Sequence, residues 1–574
     1  MNKFVLTPLW KRLLFSLFLI FAFLSAVGFW YSPVLFKGYS TESIGEGIIL
    51  ARNYVKSGTL GIENDLNVVV ASDLAKTSVH NSYISNGFNA ISDVAIFKLF
   101  GWQSWNNLVL ISVVIYALSL VFLAITTYCL FGFPIAVIFS LVYILLPFSG
   151  QTARAVSLYE FAQLYLSLFI LFFFLGRGKK FYYLYLAIAG VFLSLACLSR
   201  ETFFIFLPIL FIWLVISGKK KELLSLFIPI GLILSFFWLP SMIGPGSGNT
   251  YASLFVAQDQ NQSQWSEFDS YGHIYPDPYT FHFDRQQVID QINTDLKNNN
   301  SSFLYKIDRL KVGKNSGIID IGILERLVVG TSILIAHLSK FLAIEFIGGP
   351  IIFILICLGL LELKKKNISL YYLFLSWLVG SVVLMSYVVL SSRSHLMDFT
   401  WPIAVLSALG LAGLVKSITD HYQFKKYSSL VSLGLIVLTL YSLVVASHVY
   451  LGRSYDDNRN LVLDYLAQKI NERNIGSTEV IAVGERTAHP ILNYLTDKSI
   501  VYFDPATIKK MAQTGNLQQA FDKFNVKYVV GFNSSTSDLI TQKSQAVNIA
   551  VWPETGFLEQ PVGFNKMWLL NIIK

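Results

Sequence analysis

The stretch Ser391-Ser-Arg-Ser-His-Leu-Met-Asp-Phe-Thr-Trp-Pro402 is a polar segment between two long apolar runs, residues 370–390 and 401–415. It contains Arg393 and His395, which bring positive charge or the capacity for it. Charged groups beside a hydrophobic helix bundle are costly, so they usually have a function. The stretch therefore predicts a turn between two membrane-spanning helices, with functional residues on the turn.

The composition of the whole chain is that of a membrane protein. Of its 574 residues, 54% are hydrophobic and 14% are charged, whereas about 25% of the residues of a soluble domain are charged. Apolar runs close to the roughly 20 residues that cross a bilayer as a helix recur along the chain. We predict a polytopic α-helical membrane protein with about eleven spans: 13–31, 107–130, 132–149, 157–175, 181–198, 202–217, 223–240, 349–363, 369–390, 401–415 and 428–450.

Basic loops beside the apolar runs predict the orientation in the membrane. When the N-terminus is placed in the cytoplasm, every dense basic loop falls on the cytoplasmic side: 177–180, 219–221, 364–366 and 416–426. The positive-inside rule expects this arrangement, so the net charge of +9 reflects topology and predicts no nucleic-acid partner. The C-terminal region then lies on the extracytoplasmic face.

The predicted membrane domain, residues 1–453, has two long outer loops, 32–105 and 241–348. The second loop includes an apolar stretch, 327–346, with three ionisable residues: His337, Lys340 and Glu345. A span there would move the later lysine loops to the outer side. We therefore interpret this stretch as an interfacial or re-entrant helix of the outer leaflet.

Residues 454–574 are numerous enough for one small extracytoplasmic domain. Short apolar runs rich in β-branched residues predict buried strands, and segments with helical periodicity predict helices between them. The predicted strands are 479–483, 499–503 and 526–532, and the predicted helices are 457–473 and 517–524. This alternation indicates a small α/β domain.

Two glutamates open the first outer loop and are candidates for a general base. Glu42 and Glu46 are four residues apart, so a helix would place them on one face. A carboxylate just outside a span can have a raised pKa and accept a proton from a substrate. The alternative is that both acids only lie in the first turn of an amphipathic helix, where negative charge is favoured.

Arginines lie at the outer ends of three different helix pairs and are candidates for binding phosphate. Arg154, Arg200 and Arg393 each offer a planar fork of donors that suits phosphate oxygens. His395 could donate to phosphate, bind a metal or simply lie at the interface. The alternative for the arginines is that they extend to lipid headgroups or pair locally, as Arg200 could with Glu201.

Four stretches together resemble the GT-C superfamily of polyprenyl-phosphate-sugar glycosyltransferases. The resemblance is nearest to the protein O-mannosyltransferase and aminoarabinose transferase branch and covers about residues 1–450. The stretches are Thr41-Glu42 to Gly58, Lys98-Leu-Phe-Gly101 to Asn107, Ala196 to Pro208 around Arg200, and Arg393 to Gly413. Where the family often has Asp-Glu, this chain has Thr41-Glu42, which leaves Glu42 and Glu46 as competing candidates. Asn106-Asn107 stands where the family often has an arginine.

The resemblance implies a lipid-linked sugar donor, bound in the outer leaflet of a plasma (inner) membrane. Glu42, or in second place Glu46, would act as the base toward an acceptor that is a lipid, a glycan or a protein. Arg393 and Arg200, then Arg154, with His395, would hold the donor phosphate. Some relatives use a divalent metal, but this sequence contains no zinc-protease, paired-cysteine or glycine-rich nucleotide motif.

Two other functions also fit a multi-span protein with polar outer turns. One is a polysaccharide polymerase or ligase that uses a diphosphate-linked glycan. The other is a lipid or glycan transporter, which would need charges deep inside its spans. The charges of this chain cluster at the predicted outer rim instead, which favours a transferase.

Overall fold

In a computed structural model, the chain is described over residues 8–32, 46–57, 68–69, 78–79, 87–101, 105–154, 159–177, 179–243, 327, 331, 334–335, 338, 347–384, 386–387, 400–421, 428–454, 466–472, 479–483, 488–503, 505–531, 534–544, 546–552 and 567–572. This part of the chain is mostly helical. Glu42, Arg393 and His395 lie outside it.

A bundle of apolar helices forms the N-terminal part. In chain order the helices are α1 Pro8–Trp30, α2 Glu46–Ser57, α3 Gly87–Phe100, α4 Trp105–Phe131, α5 Phe133–Leu145, α6 Pro147–Ala153, α7 Glu160–Leu175, α8 Tyr182–Ser199, α9 Phe206–Ile216, α10 Lys220–Ile243, α11 Pro350–Lys366, α12 Ile368–Leu375, α13 Ser381–Leu384, α14 Thr400–His421 and α15 Ser428–Ser454. A 3-10 helix, Glu201–Ile205, precedes α9, and a π-helical turn, Ser376–Gly380, joins α12 to α13.

Each apolar run that was predicted to cross the membrane overlaps helices of this bundle. Among the described residues, four helical stretches are long and apolar enough to cross a bilayer by themselves: Leu13–Trp30, Asn107–Phe131, Tyr182–Ser199 and Thr400–Ile418. Shorter apolar helical stretches are Phe133–Leu145, Glu160–Leu175, Phe203–Ile216, Ile368–Leu384 and Ser432–Ser447. The structure thus supports a membrane protein with several spans, and the number eleven stays a prediction.

Glycines bring two helices of the bundle into close contact. A Cβ atom added to Gly359 of α11 would lie 2.0 Å from the carbonyl oxygen of Leu406, and one added to Gly410 of α14 would lie 2.0 Å from that of Leu355. Small residues of this kind allow close backbone approach where lipid leaves no hydrophobic driving force between helices. The α11–α14 pair is therefore a tightly packed unit.

Three of the basic loops share one end of the bundle, which we call the lysine end. Arg177 lies 6.0 Å from the ring of Trp213, and Trp213 Nε1 donates to the carbonyl oxygen of Ser369 at 3.3 Å. Lys219 Nζ also lies over the Trp213 ring. Contacts therefore join the loops that follow α7, α9 and α11. Which side of the membrane this end faces stays a prediction.

We call the opposite end, where α7 begins and α8 ends, the arginine end, because Arg154 and Arg200 lie there.

A mixed sheet contains seven strands among the described residues, in the order β2-β1-β4-β3-β5-β7-β6. Its strands are β1 Val68–Val69, β2 Ser78–Val79, β3 Val480–Val483, β4 Ser499–Tyr502, β5 Val526–Gly531, β6 Ala546–Trp552 and β7 Met567–Ile572. Four more helices pack with it: α16 Ala488–Thr496, α17 Pro505–Thr514, α18 Leu517–Lys523 and α19 Ser534–Lys543.

The three predicted strands of the C-terminal region correspond to β3, β4 and β5, which pair in parallel. β3 is buried along its length, as expected of a central parallel strand covered on both faces. The first outer loop adds β1 and β2 to the edge beside β4. The sheet is thus shared between two distant parts of the chain, and the 454–574 boundary stays a prediction.

The stretch predicted to be an interfacial helix is helical at its described residues, which include Leu327, Thr331 and Leu338. Their spacing follows the turns of one helix. The hydroxyls of Thr331 and Tyr387 lie 3.0 Å apart, which connects this helix to the chain after α13. The three ionisable residues of this stretch, His337, Lys340 and Glu345, lie outside the described residues. The depth of the helix in the membrane stays a prediction.

Candidate active site

The predicted site residues are only partly described. Glu46 is the first residue of α2, whereas Glu42, Arg393 and His395 lie outside the described residues. Arg154 and Arg200 are described with their contacts. The geometry of the candidate site is therefore built from these two arginines and the residues that hold them.

Arg200 is held by an aromatic ring at the start of α7. It lies in extended backbone between the end of α8 and the following 3-10 helix. Its guanidinium carbon lies 4.0 Å from the centre of the Tyr159 ring, and Nη2 donates to the Tyr159 hydroxyl at 2.7 Å. A guanidinium stacked on a ring has fewer orientations to lose when it binds an anion. Tyr159 therefore pre-orients Arg200.

Glu160 is an acid of the candidate site that the sequence analysis missed. It is the first residue of α7 and only 2% exposed. Its Oε2 accepts a hydrogen bond from the backbone N–H of Tyr159 at 3.2 Å, so it supports the residue that holds Arg200. Its signal in the sequence is a single acid directly before an apolar run, a position that helix N-termini favour for other reasons.

Arg154 is held at the end of α6, close to the end of α1. It is 8% exposed, and its Nη1 donates to the carbonyl oxygen of Trp30 at 3.4 Å. The neighbouring Ala153 carbonyl oxygen accepts from Ser112 Oγ of α4 at 2.8 Å. Because its side chain is buried by protein, Arg154 does not extend to lipid headgroups. Its bond to Trp30 is a local contact of the kind that the alternative describes, so the phosphate-binding role of Arg154 stays a prediction.

A buried polar layer lies in the bundle beneath these arginines. Gln163 Nε2 of α7 donates to the Tyr143 hydroxyl at 3.2 Å, and the rings of Tyr143 and Tyr116 are 6.0 Å apart. Tyr116 lies close to Thr400, the first residue of α14. The segment with Arg393 and His395 ends at Thr400, so this layer positions the C-terminal end of that segment.

The described residues contain no group of three or more His, Cys, Asp and Glu side chains that could hold a metal ion. The three cysteines are free thiols. A metal at this site would need ligands from the outer loops, most of whose residues lie outside the described part of the chain.

No protein-family model and no curated protein sequence matches this chain. Solved structures do match it. The Archaeoglobus fulgidus oligosaccharyltransferase in complex with Zn and sulfate has a TM-score of 0.51 at 15% identity, and the match covers 89% of this chain and 67% of that one. ArnT from Cupriavidus metallidurans has a TM-score of 0.53 in the apo state, at 12% identity, with 96% of this chain and 97% of that one covered.

The structure of ArnT bound to undecaprenyl phosphate has a TM-score of 0.50 at 11% identity, with 99% of both chains covered. At these identities the matches establish the fold and leave the activity to be argued. The predicted resemblance in fold is confirmed, and it extends beyond residues 1–450 to nearly the whole chain.

Proposed function

The chain has the fold of the GT-C superfamily, and on that premise we propose that it is an integral-membrane glycosyltransferase. It moves a sugar from a polyprenyl-phosphate donor to a lipid, glycan or protein acceptor on the extracytoplasmic face. The observation that carries this proposal is the likeness to ArnT, which covers 96% of this chain and 97% of that one. ArnT and the oligosaccharyltransferase are both lipid-phosphate-dependent GT-C glycosyltransferases.

The proposed reaction is an inverting displacement at the anomeric carbon. Glu42, or in second place Glu46, removes the proton from the acceptor hydroxyl or amine as that atom attacks. The new bond forms on the face opposite the phosphate. The bond between the anomeric carbon and the phosphate oxygen breaks, and its electron pair leaves on the polyprenyl phosphate.

The proposed role of the arginines is to bind the donor phosphate and stabilise the negative charge that grows on it. Arg200 is supported in this role by its stack on Tyr159, and Arg154 by its burial beside Trp30. Arg393 and His395 would complete the phosphate site from the segment before α14. Preorganised donors stabilise a developing charge more strongly than mobile ones, because they need no reorientation during the reaction.

A divalent metal at this site would take its ligands from outside the described residues. The oligosaccharyltransferase match contains Zn and sulfate, but the described part of this chain has no matching ligand group.

We also propose the arrangement that the basic loops predict. The protein is a multi-pass protein of the plasma (inner) membrane with a cytoplasmic N-terminus. Residues 1–453 form its membrane domain, and residues 454–574 form an extracytoplasmic region. The shared position of the basic loops at the lysine end supports this arrangement.

The test is glycosyl transfer in membranes that contain the wild type, Glu42→Gln or Glu46→Gln. Radiolabelled polyprenyl-phosphate sugars are the donors, and total lipid and protein extracts are the acceptors. We expect one of the two variants to lose at least about 100-fold in rate, because that is the usual effect of removing a general base. Asp522→Asn is the matched control, since Asp522 is an exposed acid on α18 that bonds Gln518.

Other outcomes favour other functions. Transfer from a diphosphate-linked glycan alone would identify a polymerase or ligase. Movement of labelled lipid across the membrane without transfer would identify a transporter. Full transfer activity in both glutamate variants would show that the base is a different residue.

A further inference from the structure

Arg52 of α2 is fully buried, and two of its polar partners, Asn493 and Asp497, belong to the C-terminal region. Its Nη1 donates to the carbonyl oxygen of Asn493 at 2.9 Å, and its Nη2 donates to Asn493 Oδ1. The Oδ1 of Asp497 lies 3.4 Å from Nη1 and also contacts Lys56 Nζ. A buried arginine is costly unless its donors are satisfied. Here one partner, Asn493, lies 441 positions away along the chain.

Arg52 binds the C-terminal end of α16, where carbonyl oxygens attract cations. Asp497 follows this helix with φ of +56°, a left-handed conformation that ends it. Asp497 N donates back to the Asn493 carbonyl oxygen at 3.0 Å, and Asn493 Nδ2 donates to the Lys498 carbonyl oxygen at 2.9 Å. These bonds hold the turn in one conformation, in which its oxygen atoms accept from the guanidinium of Arg52.

The strand directly after this turn binds the same outer loop a second time. β4 pairs in parallel with β1, with Val501 opposite Val68 and Tyr502 opposite Val69. One continuous unit, residues 488–502, therefore holds both α2 and β1. The C-terminal region thus contacts the first outer loop at two separate places, Arg52 of α2 and the strand β1.

The face of α2 that carries Arg52 also packs on the membrane bundle, because Ile48 lies one helical turn before Arg52. Ile48 and Ala51 are fully buried in its hydrophobic core, together with Phe97 of α3. Tyr494 of α16 is also part of that core. This face of α2 therefore lies where the bundle and the C-terminal region meet.

We propose that Arg52, Asn493 and Asp497 form a latch through which the C-terminal region positions the first outer loop for sugar transfer. This inference rests on the proposed function, because the loop carries the candidate base. α2 begins at Glu46, about 9 Å along the helix axis from Arg52 at 1.5 Å per residue. Fixing Arg52 fixes the direction of that helix end. The three residues are positioning residues and do not touch the substrate.

The first arm of the test measures attachment without measuring activity. The full-length protein in lipid nanodiscs is treated with trypsin, and mass spectrometry follows cleavage after Arg52. Asn493→Ala removes the side-chain oxygen that accepts from Arg52 Nη2. Asp497→Asn removes the carboxylate charge beside Arg52, and asparagine still tolerates the left-handed backbone at this position. We expect both to accelerate this cleavage at least about tenfold, because local opening exposes the buried bond. Glu479→Gln, which removes the ion pair with Lys527, is the matched control.

The second arm measures transfer and binding in the same preparations. Misplacement of catalytic groups by about 1 Å can cost about 100-fold in rate, so we expect kcat to fall at least about tenfold in both latch variants. The stoichiometry of binding of radiolabelled polyprenyl phosphate should stay at the wild-type value. A loss of folded protein would lower binding and kcat together, which separates positioning from general destabilisation.

Faster cleavage together with lower kcat and full lipid binding would support the latch. Faster cleavage with unchanged kcat, or wild-type cleavage rates in both variants, would overturn it. If the wild type transfers no sugar from any donor, the proposed function and the kinetic half of this inference both fail. The trypsin arm then decides by itself whether the attachment exists.

Discussion

Two arginines contact aromatic rings at opposite ends of α7, and their surroundings differ. At the arginine end, Arg200 stacks on Tyr159 at 4.0 Å. At the lysine end, Arg177 lies 4.9 Å from the ring of Phe174 and 6.0 Å from that of Trp213. The two contacts are chemically alike, because each places a guanidinium on an aromatic face.

The lysine end supplies its arginine with a carboxylate nearby. Tyr182 lies beside both Arg177 and Glu222, and Glu222 Oε2 is 3.4 Å from Lys219 Nζ. Arg177 therefore belongs to a local charge network next to the basic loops. At the arginine end, Glu160 Oε2 accepts from the backbone N–H of Tyr159, the residue on which Arg200 stacks. A similar ring contact thus has a structural role at one end, and at the other it prepares the proposed phosphate site.

The largest expected effect compares the two arginines directly. Arg200→Ala should lower the transfer rate about 100-fold, because it removes a donor that stabilises charge on the leaving phosphate. Arg177→Ala should cost about 0.5–2 kcal/mol of stability from the lost cation–π contact and leave the turnover of the folded protein near the wild-type value. Transfer rates normalised to folded protein, together with thermal unfolding curves, make the comparison. Equal loss of turnover in both variants would refute the assignment of roles.

A smaller effect is expected from Tyr159→Phe. The ring and its stack on Arg200 remain, but the hydroxyl that accepts from Nη2 is lost. A hydrogen bond to a charged group contributes about 1.5–3 kcal/mol, so transfer should fall about tenfold or more. The measurement is kcat/KM for the donor. Tyr183→Phe, an exposed tyrosine at the lysine end, is the control and should retain full activity.

Alkaline pH should weaken the arginine end through Tyr494. Burial raises the pKa of this tyrosine above its ordinary value of 10.0, Arg52 lowers it in part, and Asp93 raises it. Because the pKa of Tyr494 is higher in the folded state than in the unfolded state, the protonated tyrosine stabilises the fold. This contribution is complete below about pH 10 and declines as the pH rises above that value. The decline is at most about 1.4 kcal/mol per pH unit.

Tyr494→Phe removes this titration and should flatten the dependence. The measurement is the rate of trypsin cleavage after Arg52 in the wild type and in Tyr494→Phe between pH 8 and pH 10.5, corrected with a small trypsin substrate at each pH. An identical rise in both proteins would contradict the assignment to Tyr494.

The smallest effect is expected from Glu222→Gln at the lysine end. The ion pair with Lys219 is only partly buried, and pairs of this kind contribute about 0–1 kcal/mol. The variant should lower the thermal unfolding midpoint slightly and leave the transfer rate unchanged. A clear loss of transfer in folded Glu222→Gln protein would mean that the lysine end takes part in the reaction.

Local sequence patterns were sufficient for several parts of the fold. Apolar runs predicted the helices of the bundle, because each helix must satisfy its backbone polar groups internally in lipid. Apolar β-branched runs likewise predicted β3, β4 and β5. The strands β6 and β7 and the helices α16, α17 and α19 were not predicted, since each is only six to ten residues long and gives a short pattern.

The candidate site was predictable only in part for the same reason. Arg154 and Arg200 were identified because isolated charges interrupt long apolar runs. Glu160 was missed, because one acid before an apolar helix is also an ordinary helix start. Its burial and its bond to the backbone of Tyr159 depend on how α7 packs.

The sequence by itself determined the class of protein, the positions of the basic loops and the order of the polar turns. These features depend on composition and on the lengths of apolar runs, which need no knowledge of distant contacts. The tertiary structure alone decided which distant residues meet. Arg52 has no signal that names Asn493 as its partner, and two-residue strands such as β1 have none that names β4. Such contacts depend on three-dimensional packing, in which a buried charge or an open sheet edge finds partners far away along the chain.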